Sequence, residues 1–398
     1  MILCLAANPA VDKTFLVDRL TVDAIHRPRG FMQLPGGKGL NVARALQSLG
    51  SEATAVTILG GGTGRWIQES LKIEGIRTLA AWTDTETRSC LSVSDQTTGE
   101  LTEFYEDPLP IDEIVWEQFS SLVRDELNKV VWMTISGSLP EGAPPAAYSE
   151  LIAIAKDARV KVAVDARGSA LEDCLGAGPD LVKINQIEAA EVLERDVNSE
   201  TQVIQACRDI ADRTGGCVVI TRSRRGAVGI DADGTGWSGV VDASRRYSVG
   251  SGDSFLAGFV RTLERSGTFE EAMKSALGAA VANAEQPGAG RLSVPVAAAY
   301  AAEARLLHVG LPHSHDPDRW IILEEGQDPA EVLGRSETTP PREKGPVDPV
   351  EETAVEEPRS ISLVETPAED AGPQTISIVD LPEDDETPSA GTSWLRPT

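Results

Sequence analysis

Residues 249–259 read Val-Gly-Ser-Gly-Asp-Ser-Phe-Leu-Ala-Gly-Phe. Gly250, Ser251 and Gly252 form a turn that runs straight into an apolar helix start, with one carboxylate, Asp253, at the junction. Glycines let backbone N–H groups approach an anion closely. The helix N-terminus adds unsatisfied donors and a partial positive charge. Such a turn suits a phosphate, or negative charge developing during phosphoryl transfer. An acid beside a phosphate is costly unless it has a task, such as accepting a substrate proton. The plainer reading is that Asp253 caps a helix after a glycine-rich turn.

Other segments carry chemistry of the same kind. Gly36, Gly37, Lys38 and Gly39 open a helix near Asn41. Backbone N–H groups, an ammonium and an amide there can bind a phosphate or a hydroxyl-rich ligand. Lys38 is followed by glycine, so this is not a Walker loop. The alternative is a helix-start turn with a surface lysine. Residues 58–66 tempt a dinucleotide reading, with Asp84 near the distance of a ribose contact, but Arg65 stands where the third glycine belongs. Ser136, Gly137 and Ser138 follow a strand and could orient a substrate, or simply exit it. Asn185 and Glu188 lie on one helical face and could hold hydrated Mg²⁺ near phosphates; the plainer reading of the isolated motif is a capping pattern. In Thr221-Arg222-Ser223-Arg224-Arg225-Gly226, the arginines could meet phosphates or form a solvated basic loop.

The elements that must position these groups alternate. Strand-like segments at 2–6, 53–59, 130–135, 160–165, 180–184 and 217–221 are interleaved with helix-like ones at 40–49, 66–74, 148–158, 186–195 and 201–214. Two consecutive helices follow at 254–266 and 269–285. Alternation implies crossover connections and a mostly parallel sheet covered on both faces. Ligands in such sheets bind beyond the carboxyl ends of the strands. The segments after residues 59, 135, 184 and 221 fall there. Stretches 14–33 and 88–106 interrupt the pattern as β-rich excursions, forming either a small separate sheet or surface hairpins.

The 398 residues allow one large domain or two ordinary ones. Net charge is −26, unevenly spread. Residues 313–398 hold 21 acids and 6 bases. Their Pro, Glu, Asp, Thr and Ser content predicts an acidic disordered tail. Within it, 360–370 and 375–385 are near-repeats, each an aliphatic core followed by acids; a solvated tail is the plainer reading and strand addition to a partner the alternative. Nothing is basic enough for a nucleic-acid footprint. The five cysteines are widely spaced and read as buried reduced thiols. With no signal-peptide pattern and no apolar run of membrane length, a cytoplasmic location is expected.

The order of these pieces resembles the ribokinase/phosphofructokinase-B family of sugar kinases, over residues 1 to about 308 and none of the tail. Both family signatures are present, at Gly36–Asn41 and at Gly250–Ser254. Asn8-Pro9-Ala10-Val11-Asp12, Gly61-Gly62-Thr63-Gly64-Arg65, Thr87-Arg88 and Thr102-Glu103 resemble its hexose-phosphate branch, which includes 1-phosphofructokinase and tagatose-6-phosphate kinase. The resemblance implies a three-layer α/β/α ribokinase-like fold over 1–312, with the excursions forming a small β-sheet lid that pairs two subunits. It implies an ATP- and Mg²⁺-dependent kinase acting on a phosphorylated ketohexose, with fructose 1-phosphate first, and tagatose 6-phosphate or fructose 6-phosphate as alternatives. A non-catalytic sugar-phosphate-binding protein with a partner for its tail is the alternative from another class.

The same resemblance implies residue roles. Asp12, Gly36, Gly37, Lys38 and Asn41 would contact the sugar, with Ser136 and Ser138 on the substrate side. Arg88, with Lys38, would hold the substrate's existing phosphate. Asn185 and Glu188 would organise Mg²⁺. Lys183, Asn185, Thr221, Ser223, Gly226 and Asn283 would border the nucleotide. Asp253 would be the catalytic base, beside the amides of Gly250, Ser251 and Gly252. Tyr247-Ser248 and Arg222 depart from the residues usual in the family.

Overall fold

The computed structural model describes residues 1–309, except 109 and 244–246, together with a short strand at 322–323. The rest of the expected acidic tail lies outside the described residues. The strands are β1 (Ile2–Ala6), β2 (Ala10–Val17), β3 (Gly30–Gly36), β4 (Ala53–Gly60), β5 (Arg77–Thr83), β6 (Ser89–Asp95), β7 (Leu101–Tyr105) and β8 (Trp132–Ser136). They continue as β9 (Lys161–Asp165), β10 (Leu181–Asn185), β11 (Cys217–Thr221), β12 (Ala227–Ile230), β13 (Gly236–Val240), β14 (Arg305–Val309) and β15 (Ile322–Leu323). The helices are α1 (Lys38–Ser48), α2 (Gly61–Ile73), α3 (Glu113–Leu127), α4 (Ala147–Asp157) and α5 (Gly168–Gly176). After them come α6 (Gln186–Val192), α7 (Glu200–Thr214), α8 (Ser251–Glu264), α9 (Phe269–Ala284) and α10 (Val294–Glu303).

The large sheet runs β15-β14-β13-β12-β11-β10-β9-β8-β1-β4-β5. Neighbours from β11 to β5 are parallel, and β12 to β15 extend the sheet antiparallel. Its central strands are buried on both faces, which is why they read as unbroken apolar runs. Leu3 and Leu5 of β1 enter one core with α3 to α7, while Ile2, Cys4 and Ala6 enter the other with α1, α2 and α8 to α10. The three-layer α/β/α fold with a mostly parallel central sheet follows from that two-sided burial. Each fully buried Leu, Ile or Phe contributes about 1.5–3 kcal/mol.

The small sheet runs β3-β2-β6-β7, with β2 and β6 parallel and the outer pairs antiparallel. It is the expected lid, but its first excursion spans Ala10 to Gly36 rather than 14–33. The extra residues include Val11 and Leu34, whose buried side chains tie the lid to the body. Helix α2 starts at Gly61, not at 66, because the Glu86 carboxylate accepts the Gly62 and Thr63 N–H groups and caps its first turn. Those bonds also hold Glu86 well below the usual carboxylate range, at about 2. Helix α8 starts at Ser251, so Asp253 sits inside its first turn rather than before it. Strands β5, β12 and β13 and helices α3, α5 and α10 have no counterpart in the sequence reading. Cys4, Cys90, Cys174 and Cys207 are buried. Among the described residues, no helix is long and apolar enough to cross a membrane.

Candidate active site at the carboxyl ends of the strands

Two charged side chains break the apolar pattern of the central strands. Side chains alternate along a strand, so Asp165 shares the α1/α8 face with Ala163, and Lys183 shares it with Leu181. The register pairs Ala163 with Leu181. Two residues further along, Lys183 Nζ reaches Asp165 Oδ2 at 2.6 Å. Lys38, the first residue of α1, reaches Asp165 Oδ1 at 2.7 Å and Glu188 Oε1 at 3.2 Å. Burial alone would raise the Asp165 pKa, but Lys183 and Lys38 outweigh it and hold the carboxyl below its ordinary range. Burial works against the Lys38 charge too, yet Asp165 and Glu188 carry its pKa above the ordinary value. Removing one member of a buried ion network leaves an uncompensated charge, at a cost of about 3–5 kcal/mol.

Over this network lies the glycine turn. Gly250 is the N-cap of α8 with φ 78°, a left-handed conformation that glycine adopts without strain. A side chain on Gly252 would meet Lys183 Nζ at 2.9 Å. Asp253 is 6 % exposed, and Asn41 Nδ2 donates to its Oδ2 at 2.8 Å. Burial pushes the Asp253 carboxyl up to about 6; Asp165 adds to the rise, while Lys183, Lys38 and the Asn41 bond oppose it. Here the sequence reading is refined. Asn41 was expected at the sugar, but its Oδ1 accepts from Arg44 and one Nδ2 hydrogen is given to Asp253. One N–H remains for a ligand.

On the lid side, the Asp12 carboxylate lies over Gly36, where a side chain would meet it at 2.1 Å. Burial raises the Asp12 pKa to about 6, with Arg44 and Arg88 opposing and Asp253 and Glu103 adding. A cleft between the inner face of the lid and the turn before α8 is lined by Asp12, Cys90, Glu103, Tyr105, Tyr247 and Ser248. The unusual Tyr247-Ser248 pair therefore faces the acceptor side. Arg88 is anchored to the Glu106 and Asn8 carbonyls, while its Nε is buried without a partner. The pairing of Lys38 with Arg88 on one phosphate is not what the side chains show: the Lys38 ammonium is turned to Asp165 and Glu188. Ser138 Oγ accepts from Asn8 Nδ2, and the Ser136 hydroxyl is buried without a partner.

The nucleotide side departs further from expectation. Asn185 and Glu188 form a capping box at the start of α6. Asn185 Oδ1 already accepts two N–H groups, from Ile187 and Glu188, which uses both of its lone pairs. Both acceptor directions are thus taken within α6. Glu188 Oε2 accepts the Asn185 N–H and Oε1 faces Lys38. Among the described residues no cluster of three His, Cys, Asp or Glu could cage a cation. One carboxylate at a strand end fits a hydrated Mg²⁺ carried largely by phosphates, which is how that ion is commonly held.

Thr221 Oγ1 donates to the Ile184 carbonyl, Ser223 takes a left-handed φ of 55°, and Gly226 follows at 82°. Arg222 is turned inward to Ser238 and Glu200, not toward a ligand. Asn283 was expected beside the nucleotide. It is 0 % exposed, and its amide is committed to the Val249 carbonyl, the Ser254 hydroxyl and the Gly290 N–H. It braces the turn and has no surface for a ligand. The dinucleotide reading of 58–66 falls because Glu86 occupies the helix N-terminus that a pyrophosphate would need.

Asp165 and Arg44 were missed. The signal for Asp165 was a lone acid ending the strand Lys-Val-Ala-Val-Asp, in register with a lone lysine in the next strand. Arg44 gave a weaker signal, a cation on the apolar side of α1.

Comparison with known proteins places the chain in a family. The family model described as pfkB family carbohydrate kinase matches residues 6–297. The chain is 31% identical to D-tagatose-1-phosphate kinase of Bacillus licheniformis over 294 residues, covering 74% of this chain and 95% of that one. It is 28% identical to 1-phosphofructokinase of Borreliella burgdorferi over 286 residues, covering 71% and 92%. The structure of phosphofructokinase-2 from Escherichia coli in complex with substrates and products superposes with a TM-score of 0.70 at 27% identity, covering 76% and 98%. A family match across most of the chain, with both glycine turns placed around one buried carboxylate, identifies this chain as a member of the pfkB family of carbohydrate kinases and as an ATP-dependent hexose-phosphate kinase.

Proposed function

We propose that the chain phosphorylates fructose 1-phosphate to fructose 1,6-bisphosphate, with Asp253 as the base. The observation that carries this reading is Asp253 itself. It is buried at the start of α8, steadied on Oδ2 by Asn41, beside first-turn amides that have no helical partner. The acceptor hydroxyl gives its proton to Asp253 Oδ1 as its oxygen bonds to the γ-phosphorus and the β,γ-bridging bond breaks, releasing ADP. The Gly250, Ser251 and Gly252 amides face charge on the transferring group, a task for fixed dipoles. Arg88 binds the substrate's existing phosphate, which supplies the partner its buried Nε lacks. Asp12, above Gly36, orients the sugar hydroxyls. Mg²⁺ near Glu188 would neutralise phosphate charge when bound, and Lys38 and Lys183 hold a fixed positive field beneath it.

The choice of fructose 1-phosphate over tagatose phosphates and fructose 6-phosphate rests on the likeness of the N-terminal half to 1-phosphofructokinases. The lid also exposes Phe31 and Phe104, each 58 % accessible, with the Phe15 and Phe31 rings 5.4 Å apart. We assign that surface to a second copy of the chain, giving a homodimer, which sedimentation would test. An ADP-release screen at fixed ATP and Mg²⁺ across the hexose phosphates tests the substrate. The highest kcat/KM is expected with fructose 1-phosphate. A higher value with another hexose phosphate reassigns the substrate. No turnover with any of them overturns the catalytic reading and leaves a sugar-phosphate-binding protein.

A further inference from the structure

Arg44 is a guanidinium where an aliphatic side chain would pack more cheaply. It lies on α1 and is 3 % exposed. Its hydrogen bonds go to three other segments and to Asn41 on its own helix. Nε donates to Glu74 Oε2 at 2.8 Å, just after α2. Nη2 donates to the Pro35 carbonyl at 2.7 Å, near the end of β3. Nη1 donates to the Ala289 carbonyl and to Asn41 Oδ1, both at 3.2 Å. The Pro35 and Ala289 segments border the site. Pro35 precedes Gly36, which carries the Asp12 carboxylate over it. Ala289 is packed so tightly on Gly250 that a side chain there would meet its Cβ at 2.4 Å.

The Asn41 bond has a consequence for the base. An asparagine amide has one accepting and one donating end, and its orientation is set by its neighbours. Arg44 offers only donors, so it selects Oδ1. The other end, Nδ2, is then the one turned to Asp253, and a carboxylate can only accept from it. We propose that Arg44 is a positioning residue for phosphoryl transfer: it orients the Asn41 amide toward Asp253. The role in transfer rests on the kinase reading above; the orientation of Asn41 does not.

Lysine is the informative replacement. It keeps the positive charge felt by Asp12 but loses the planar fork that spans four acceptors. The other charged groups that bear on Asp253 are Lys38 on α1, Asp165 on β9, Lys183 on β10 and Asp12 on β2, and Arg44→Lys changes none of them.

The test uses the full chain with two readouts. In turnover assays, Arg44→Lys is expected to lower kcat about 10–100-fold, the scale of a small misplacement of a reacting group, with KM for ATP moved less than about threefold. In carbon-13 titration of the Asp253 carboxyl without substrate, the same variant is expected to raise the midpoint by about half a unit to one unit, as a loosened hydrogen bond to the ionised form must. In an Asn41→Ala background, Arg44→Lys should add less than about twofold to that loss of kcat and nothing to the titration, since the coupling runs through Asn41. An unchanged carboxyl titration in Arg44→Lys overturns the proposal, as does a full multiplicative loss in the double variant. Failure of the wild-type chain to turn over any hexose phosphate would sink the kinase reading and the transfer role with it, while the titration would still decide the orientation. Should Arg44→Lys not fold, amide exchange in the wild-type chain decides: an Asn41 side chain exchanging like a solvated asparagine overturns the proposal, and a protected one supports it.

Discussion

Asp253→Asn should make the enzyme both inactive and more stable. The carboxyl is shifted from its ordinary 3.8 to about 6 by burial and by Asp165. At about 1.4 kcal/mol per unit, holding it ionised costs the fold about 3 kcal/mol. The sign follows from the raised value. Below pH 3.8 the group is protonated folded and unfolded, and there is no cost. The cost grows as pH rises from 3.8 to 6 and is complete above 6. Asparagine carries no charge and can still accept from Asn41, so the variant escapes the cost. A Tm rise of about 2–6 °C at pH 7.5 is expected, shrinking toward zero as pH falls to 4.5. Turnover should fall by at least about 10²–10⁴, the usual contribution of a general base. The assays are ADP release at saturating ATP and thermal melts across pH. Turnover within tenfold of wild type would refute the assignment of the base. A melting difference that does not depend on pH would refute the electrostatic account of the site.

Three further outcomes follow from the geometry. Arg88→Gln should raise KM for the phosphorylated sugar about 30-fold, consistent with about 2 kcal/mol for a charge-assisted bond, while KM for ATP stays within about twofold in the same coupled assay. Asp165→Asn should destabilise the fold by about 3–5 kcal/mol in urea at pH 7, because it leaves Lys38 and Lys183 without their shared carboxylate. Since the Asp165 pKa is depressed, its contribution is present above the ordinary carboxylate pKa and is lost as pH falls, so the gap between variant and wild type should close toward strongly acidic pH. Deleting 340–398 should leave kcat within about twofold, because every residue placed at the site lies within 1–309.

The legible parts of this site were those made by local sequence. Glycine turns opening helices announce themselves, and both signatures landed where the strands end. The parallel strands were visible because burial on two faces removes polar alternation. What stayed hidden depended on register or on distant partners. Lys38 looked free for a phosphate, since nothing near it in sequence suggests Asp165, 127 residues away. Asn283 looked like a ligand contact, since an amide near the end of an apolar helix gives no sign of bracing a turn 29 to 34 residues upstream. The start of α2 was misplaced because its cap, Glu86, comes from the chain beyond the next strand. Strands β12 and β13 were missed because their short, glycine-interrupted sequences carry little periodic signal.

The charges at the strand ends also bear on how an acidic chain handles anionic substrates. The field of the net charge of −26 is screened over about 8 Å at physiological salt. Locally, Lys38, Lys183, Arg44 and Arg88 face Asp12, Asp165, Glu188 and Asp253. Asp165 is held ionised by two lysines and keeps them in place. Asp12 and Asp253 are different, because each is pushed up to about 6, chiefly by burial, and Asp253 adds to the rise at Asp12. Interacting carboxyls of this kind lose their protons in macroscopic steps that belong to the pair. The acid limb of kcat/KM should therefore report the pair, with its midpoint near 6 rather than near 4. Replacing Asp12 by Asn removes one like charge, so the limb measured on the remaining base should move to lower pH. A limb that stays in place in Asp12→Asn would mean that the two carboxyls do not sense each other across the cleft.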